Sequence, residues 1–208
     1  MEYKVSFSGT GHRYTEDEIN VVAKVMQTAE PLTQGKYRDQ FEKKFSRYIG
    51  AKHSFTVNTA TSALELAAQL CQFNEGDEII CPSHTFTASL YPFIKKGATP
   101  VWSDIDSKSR VVSLEHIKKC FSSKTKAIIV VHLYGYCIND IDEIAKYAKE
   151  KNVLLIEDVA QALGTEVNSK KAGTFGDFGI FSFHSHKNIT TLGEGGMLVV
   201  KNDKYANL

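Results

Sequence analysis

Three polar positions in the second half of the chain have the residue types of amine–carbonyl chemistry: Asp158, Gln161 and Lys187. Lys187 follows the apolar run Gly179-Ile180-Phe181-Ser182-Phe183, within His184-Ser185-His186-Lys187-Asn188. A free lysine has a pKa near about 10.4 and is protonated at neutral pH, which makes it a poor nucleophile. Burial or a neighbouring cation lowers that value and suits the amine to Schiff-base formation. Asp158 closes another apolar run, in Glu157-Asp158-Val159-Ala160-Gln161. A carboxylate at the end of a buried strand is desolvated and needs a cationic partner. A protonated heterocycle would serve, with Gln161 as a neutral donor beside it. Taken singly, the aspartate also reads as a hydrogen-bonded loop residue and the lysine as a solvated side chain.

Other polar and aromatic clusters follow apolar runs further upstream. Asn58-Thr59-Ala60-Thr61-Ser62 leads directly into a helical pattern. A helix start offers unpaired N–H groups and partial positive charge to an anion, although Thr59 or Thr61 also fits plain N-capping. Pro82-Ser83-His84-Thr85-Phe86 brings an aromatic to a strand end. There Phe86 could stack on a flat ring or belong to the core. His132, in Val131-His132-Leu133-Tyr134-Gly135, reads by itself as a structural histidine. His184-x-His186 lacks a third ligand at suitable spacing, so no metal is expected. Helix start, aromatic, acid with glutamine, then Ser182-x-x-x-x-Lys187 is the ordered set required by pyridoxal phosphate (PLP): a phosphate seat, a ring stack, a partner for the ring nitrogen and an amine.

These residues need a scaffold that delivers strand ends to one place. Strands are predicted at His53–Val57, Glu78–Cys81, Thr99–Trp102, Ala127–Val131, Val153–Ile156, Gly179–Phe183 and Met197–Val200. Helices are predicted between them at Ser62–Leu70, Thr87–Lys95, Leu114–Phe121 and Ile141–Lys149. Upstream, the capping box Thr15-x-x-Glu18 opens a helix carrying Ile19, Val22, Val25 and Met26. A second helix spans Tyr37 to Tyr48, with Phe41, Phe45 and Tyr48 on one face and Gly50 as its stop. The alternation of strand and helix predicts an α/β domain with a largely parallel sheet, whose ligand lies beyond the carboxyl ends of the strands.

Bulk properties exclude several function classes. The 208 residues are 42% hydrophobic and 24% charged, as in an ordinary globular domain. The 25 basic and 24 acidic residues leave a net charge of +1 with no long run of either sign, so no nucleic-acid footprint is expected. Cys71, Cys81, Cys120 and Cys137 are scattered and read as free thiols. Met1–Val5 lacks the apolar stretch of a signal peptide, and no apolar run approaches a membrane helix, so the expected compartment is the cytoplasm.

The ordered motifs resemble those of the DegT/DnrJ/EryC1/StrS family of PLP-dependent sugar aminotransferases. The resemblance runs from Leu32-Thr33-Gln34-Gly35 to Asn202-Asp203. It includes Tyr48-x-Gly50-Ala51-Lys52-His53, Pro82-Ser83-x-Thr85-Phe86, Asp104-Ile105-Asp106 and Val131-His132-Leu133-Tyr134-Gly135. Most specific are Glu157-Asp158-x-Ala160-Gln161-Ala162-Leu163-Gly164, Phe181-Ser182-Phe183-His184-x-x-Lys187-Asn188 and Gly193-Glu194-Gly195-Gly196.

The resemblance implies fold type I: a three-layer α/β/α large domain with a mostly parallel central sheet. It implies that Lys187 binds PLP covalently and shuttles a proton between the amino donor's Cα and the cofactor. Asp158 would pair with the pyridine nitrogen, Gln161 would bond the phenolic-oxygen side, and Phe86 would stack on the ring. Ala60 and Thr61, with Ser182, would hold the phosphate; Ala60 stands where many relatives have glycine, but keeps its N–H. Glutamate or glutamine would supply the amino group, and the keto group of a nucleotide-linked sugar would receive it, in a homodimer serving surface-glycan synthesis. Family members continue past this length, so residues 1–208 are expected to form a single PLP-binding large domain without the C-terminal small domain. Two alternatives stay open: a related PLP-dependent sugar dehydratase, in which histidine replaces the lysine, and a non-catalytic remnant of the fold. Lys187, at its spacing from Ser182, speaks against the dehydratase.

Overall fold

The computed structural model describes residues 13–28, 31 and 33–208. The Met1–Val5 segment and Leu32 lie outside the described residues. Seven strands form one sheet: β1 (His53–Val57), β2 (Glu78–Pro82), β3 (Thr99–Ser103), β4 (Thr125–Val131), β5 (Leu154–Asp158), β8 (Phe178–Ser182) and β9 (Gly196–Val200). Two short strands, β6 (Glu166–Val167) and β7 (Lys170–Lys171), make a separate hairpin. The helices are α1 (Glu16–Thr28), α2 (Lys36–Ile49), α3 (Ala60–Cys71), α4 (Tyr91–Lys95), α5 (Leu114–Cys120), α6 (Ile141–Glu150) and α7 (Asp203–Ala206).

The sheet order is β1-β9-β8-β5-β4-β2-β3. The run from β8 to β3 is parallel, whereas β9 is antiparallel to both its neighbours. The strands are apolar at successive positions because helices cover both faces. Ile79, Ala127, Ile129, Ile156, Phe178 and Leu198 point toward α3 and Phe93 of α4. Ile80, Ile128, Val130 and Leu155 point the other way, toward Ile117 of α5 and Ile141, Ile144 and Ala148 of α6. On that second face Phe45 and Ile49 of α2 pack with Phe181, Phe183, Met197 and Val199. The three layers and mostly parallel sheet expected from the sequence are thus present.

Local signals held where the chemistry was local. Thr15 N–H donates to Glu18 Oε2 at 2.7 Å, and Glu18 N–H returns to Thr15 Oγ1 at 3.4 Å, closing the capping box. Gly50 ends α2 in the left-handed region, φ 77°. The expected single helix Thr87–Lys95 is a correction: it is a 3-10 turn, Thr87–Ser89, followed by α4 with Pro92 in its first turn. Pro92 can begin a helix but cannot sit in its interior, since it lacks an N–H and its ring clashes with the preceding turn. The fifth strand also runs further than expected, through Asp158, so Glu157 and Asp158 are strand residues with side chains on opposite faces. Helix α1 forms as predicted but buries none of its residues.

Candidate active site

A cavity of about 360 Å³ opens at the carboxyl ends of β4, β5 and β8, the position that sheet topology assigns to a ligand. All seven residues singled out in the sequence line it: Ala60, Thr61, Phe86, Asp158, Gln161, Ser182 and Lys187. A groove of about 760 Å³ lies elsewhere, near the amino ends of β5 and β8, but Lys146, Lys149, Lys170 and Asp177 line it and none of the candidates does.

The start of α3 forms one wall. Thr59, extended at φ −153°, caps the helix by accepting from Ser62 N–H at 3.1 Å. The capping reading was therefore correct for Thr59, and Thr61 is left to face the cavity. The helix sits hard against β9. A Cβ at Gly196 would fall 2.5 Å from the Thr59 carbonyl carbon and 2.6 Å from Ala60 N. Only glycine lets the strand pass this close beneath the helix start.

Asp158 faces the cavity and is 5% exposed. Its Oδ1 accepts from Ala160 N–H at 3.0 Å and its Oδ2 from Ser89 Oγ at 2.7 Å. Both donors are neutral, and no lysine, arginine or histidine among the described residues forms an ion pair with it. A buried carboxylate served only by neutral donors retains strong attraction for a cation that enters the cavity beside it. Gln161 Oε1 accepts from Tyr134 N–H at 3.1 Å, which leaves the amide NH₂ as the donating end. Phe86 is 70% exposed and stands over the cavity rather than in the core.

Lys187 sits in the segment joining β8 to β9, which is laced shut by backbone bonds. Phe183 N–H donates to Gly195 O and Ser185 N–H to Gly193 O, each at 2.8 Å, and Lys187 N–H donates to His184 O at 2.9 Å. The lysine is half-buried, and its ammonium makes no salt bridge with a described residue. Ser182 Oγ accepts from His184 N–H at 3.4 Å.

Several site residues escaped the sequence reading. Ser89 fell within an expected helix, and Thr85, His184 and Glu194 carried no expected site role, yet all four line the cavity. His184 Nε2 lies 3.5 Å from Glu194 Oε1. The adjacency of His184 to the Lys187 turn was the available signal. His132 is buried and structural, as its sequence context suggested. Among the described residues no group of three potential metal ligands occurs, and no helix is long and apolar enough to cross a membrane.

Residues 12–208 match the DegT/DnrJ/EryC1/StrS aminotransferase family. The chain belongs to this family. GDP-perosamine synthase from Vibrio cholerae is 40% identical over 201 residues, covering 97% of this chain and 52% of the relative. Among solved structures, Helicobacter pylori PseC, an aminotransferase involved in the biosynthesis of pseudoaminic acid, superposes with a TM-score of 0.90 at 30% identity, over 97% of this chain and 54% of that one. An E. coli GDP-4-keto-6-deoxy-D-mannose-3-dehydratase with bound hydrated PLP gives a TM-score of 0.88 at 28% identity, over 98% of this chain and 53% of that one. This family member spans about half the length of the relatives it matches. Their architecture, fold type I, is the one predicted from the motifs.

Proposed function

We propose that this chain is the PLP-binding part of a sugar aminotransferase that moves an amino group from glutamate or glutamine to the keto group of a nucleotide-linked sugar. The observation that carries the reading is one cavity faced by a buried acid without a cationic partner among the described residues, a glutamine amide, a helix start and a lysine. These features fit PLP. Asp158 would hold the ring nitrogen in its protonated form, Gln161 would donate to the phenolic oxygen, and Phe86 would cover a ring face. The N–H groups at Ala60 and Thr61, with the Ser182 hydroxyl, would take the phosphate. When bound, PLP supplies an electron sink for the bonds at the amino donor's Cα.

The protein's own work is then binding, orientation and proton movement. Lys187 Nζ is tethered by the laced β8–β9 segment, so its amine can take the proton from the donor's Cα and return it without diffusing away. The proposed acceptor, a nucleotide-linked sugar, and the role in surface-glycan synthesis follow the relatives' chemistry; the proposed homodimer rests on the family resemblance alone. A cytoplasmic location is supported by four free thiols. A lysine at position 187, where the dehydratase reading requires histidine, favours amino transfer over elimination.

Mixing the protein with PLP should produce a visible absorbance band, and borohydride should then fix the cofactor to the peptide containing Lys187. Lys187→Arg should abolish both. Amino transfer from glutamate to a nucleotide keto-sugar separates this reading from a dehydratase, which would eliminate water instead. A native chain that takes up no PLP would refute the assignment.

A further inference from the structure

Behind Asp158, on the opposite face of β5, Glu157 and His132 form a pair with no exposed surface. Glu157 accepts four hydrogen bonds: from Phe175 and Gly176 N–H on Oε1, both at 2.7 Å, and from Gly173 N–H at 2.8 Å and His132 Nε2 at 3.0 Å on Oε2. Every donor is aimed at a carboxylate; an amide in its place would point an NH₂ at one of them. Ile138 N–H donates to His132 Nδ1 at 3.1 Å, which requires a lone pair there. The ring proton therefore sits on Nε2 and is given to Glu157. Burial disfavours the imidazolium, while Cys137 and Glu157 favour it and win, raising its proton affinity. A second proton on Nδ1 would nevertheless face the Ile138 N–H, so the geometry holds the neutral ring.

The pair sits where β4 and β5 part. Their ladder ends at Val131 opposite Asp158, and His132 N–H adds a last bond to Asp158 O at 3.0 Å. Beyond it the chain turns through Leu133–Gly135 and comes back to Ile138, which His132 pins. Inside that loop Tyr134 is held at φ 56°, ψ 25°, a conformation a tyrosine seldom adopts. From there its N–H reaches Gln161 Oε1. Strain of this kind persists only where surrounding contacts fix the backbone, and the His132–Ile138 bond closes the loop that contains it.

We propose that Glu157 and His132 form a positioning unit that sets, from the far face of the sheet, the Asp158 carboxylate and the Gln161 amide on the cavity side. Neither residue touches the cavity. Their bonds tie the end of β5, from which Asp158 and Gln161 project, to the 132–138 loop, whose Tyr134 N–H holds Gln161 Oε1. The proposal rests on the PLP reading for its purpose, but its geometry can be tested without the cofactor.

Two substitutions divide the histidine's roles. His132→Gln keeps a donor near the Nε2 position for Glu157, whereas His132→Asn keeps only an acceptor near Nδ1 for Ile138. In the cofactor-free chain, amide hydrogen exchange at Ala160, the N–H donor to Asp158, should accelerate by about tenfold or more in His132→Asn, as expected on loss of a bond to a buried charge, while Tyr134, in the loop closed by the retained Ile138 bond, should stay within about threefold of native. Exchange at Ile129 and Ile156, inside β4 and β5, should stay native. In His132→Gln, Ala160 should stay within about threefold of native because the Glu157 bond is kept, while Tyr134, the N–H donor to Gln161, should accelerate by about tenfold or more on loss of the Ile138 bond that closes its loop. PLP affinity, read by titrating the visible band, should fall in both variants.

The proposal is overturned if Ala160 keeps native exchange in His132→Asn, or if Tyr134 keeps it in His132→Gln. It is also overturned if all four amides accelerate together, since that outcome makes the pair general support for the fold. If the native chain binds no PLP, the functional reading fails by itself while the exchange measurements still decide this one.

Discussion

Ser89 donates its only hydroxyl hydrogen to Asp158 across 2.7 Å, so Thr85, 2.7 Å from the Ser89 oxygen, must be the donor in that second contact. The order Thr85 to Ser89 to Asp158 fixes how the carboxylate presents itself to the cavity. Ser89→Ala removes one bond to a buried charge, worth about 1.5–3 kcal/mol. PLP binding should weaken by about tenfold or more, measured by titration of the visible band, and the cofactor-free chain should lose about 1.5–3 kcal/mol in urea unfolding.

Gly196→Ala tests the contact beneath α3. The new methyl would lie 2.5–2.7 Å from backbone atoms of Thr59 and Ala60, which cannot swing aside as a side chain can. Strain of about 1–3 kcal/mol is expected in urea unfolding. Because the displaced atoms belong to the proposed phosphate seat, inorganic phosphate should also compete less well with PLP in the variant than in the native chain.

The thiols should separate into two classes. Burial pushes Cys71 and Cys81 up to about 12, with Asp177 and Asp158 respectively adding to the effect. Both are also sealed in the core. Iodoacetamide at pH 8 should label the half-buried Cys120 and Cys137 first, as followed by peptide mass spectrometry. Early labelling of Cys71 would contradict the packing of α3.

Asp203 joins α7 to the start of β1. Hydrogen bonds from Lys52 at 2.5 Å and His53 at 2.6 Å hold its carboxyl below the usual range. A lowered folded-state pKa adds stability above the unfolded value, about 3.9, and the gain is lost as pH falls through the folded value. The stability difference between the native chain and Asp203→Asn should therefore shrink on acidification below about pH 5. A difference that grew instead would mean that Asp203 is not paired in solution.

The legible parts of this molecule were those written locally or by order along the chain. Thr15 and Glu18 announced their cap, Gly50 its helix end, and the strand runs their positions within a residue or two. Asp158, Gln161 and Lys187 were recognisable because motif order carries the geometry of a strand end. Ser89 was not, because the apolar pattern of Thr87–Lys95 masked the break that Pro92 signals. The β6–β7 hairpin was missed because two-residue strands have no periodicity; its turn, Asn168-Ser169, holds both residues at positive φ. The Glu157–His132 bond joins a β5 residue to the one just past the end of β4, through a fold that had first to be assembled. No spacing in the sequence announces such a pair.

The seat of α3 on Gly196 also orders events in time. Thr59 and Gly196 are far apart in the chain, and β1 pairs with β9 rather than with a strand that follows it closely. Contacts so distant in sequence close late and carry a large loop-entropy cost. A nascent chain can therefore assemble β2 to β5 and still lack the proposed phosphate seat. The cavity comes into being only when β9 slides between β1 and β8, so cofactor uptake would report closure of this sheet, and PLP would select molecules that have closed it from the folding population.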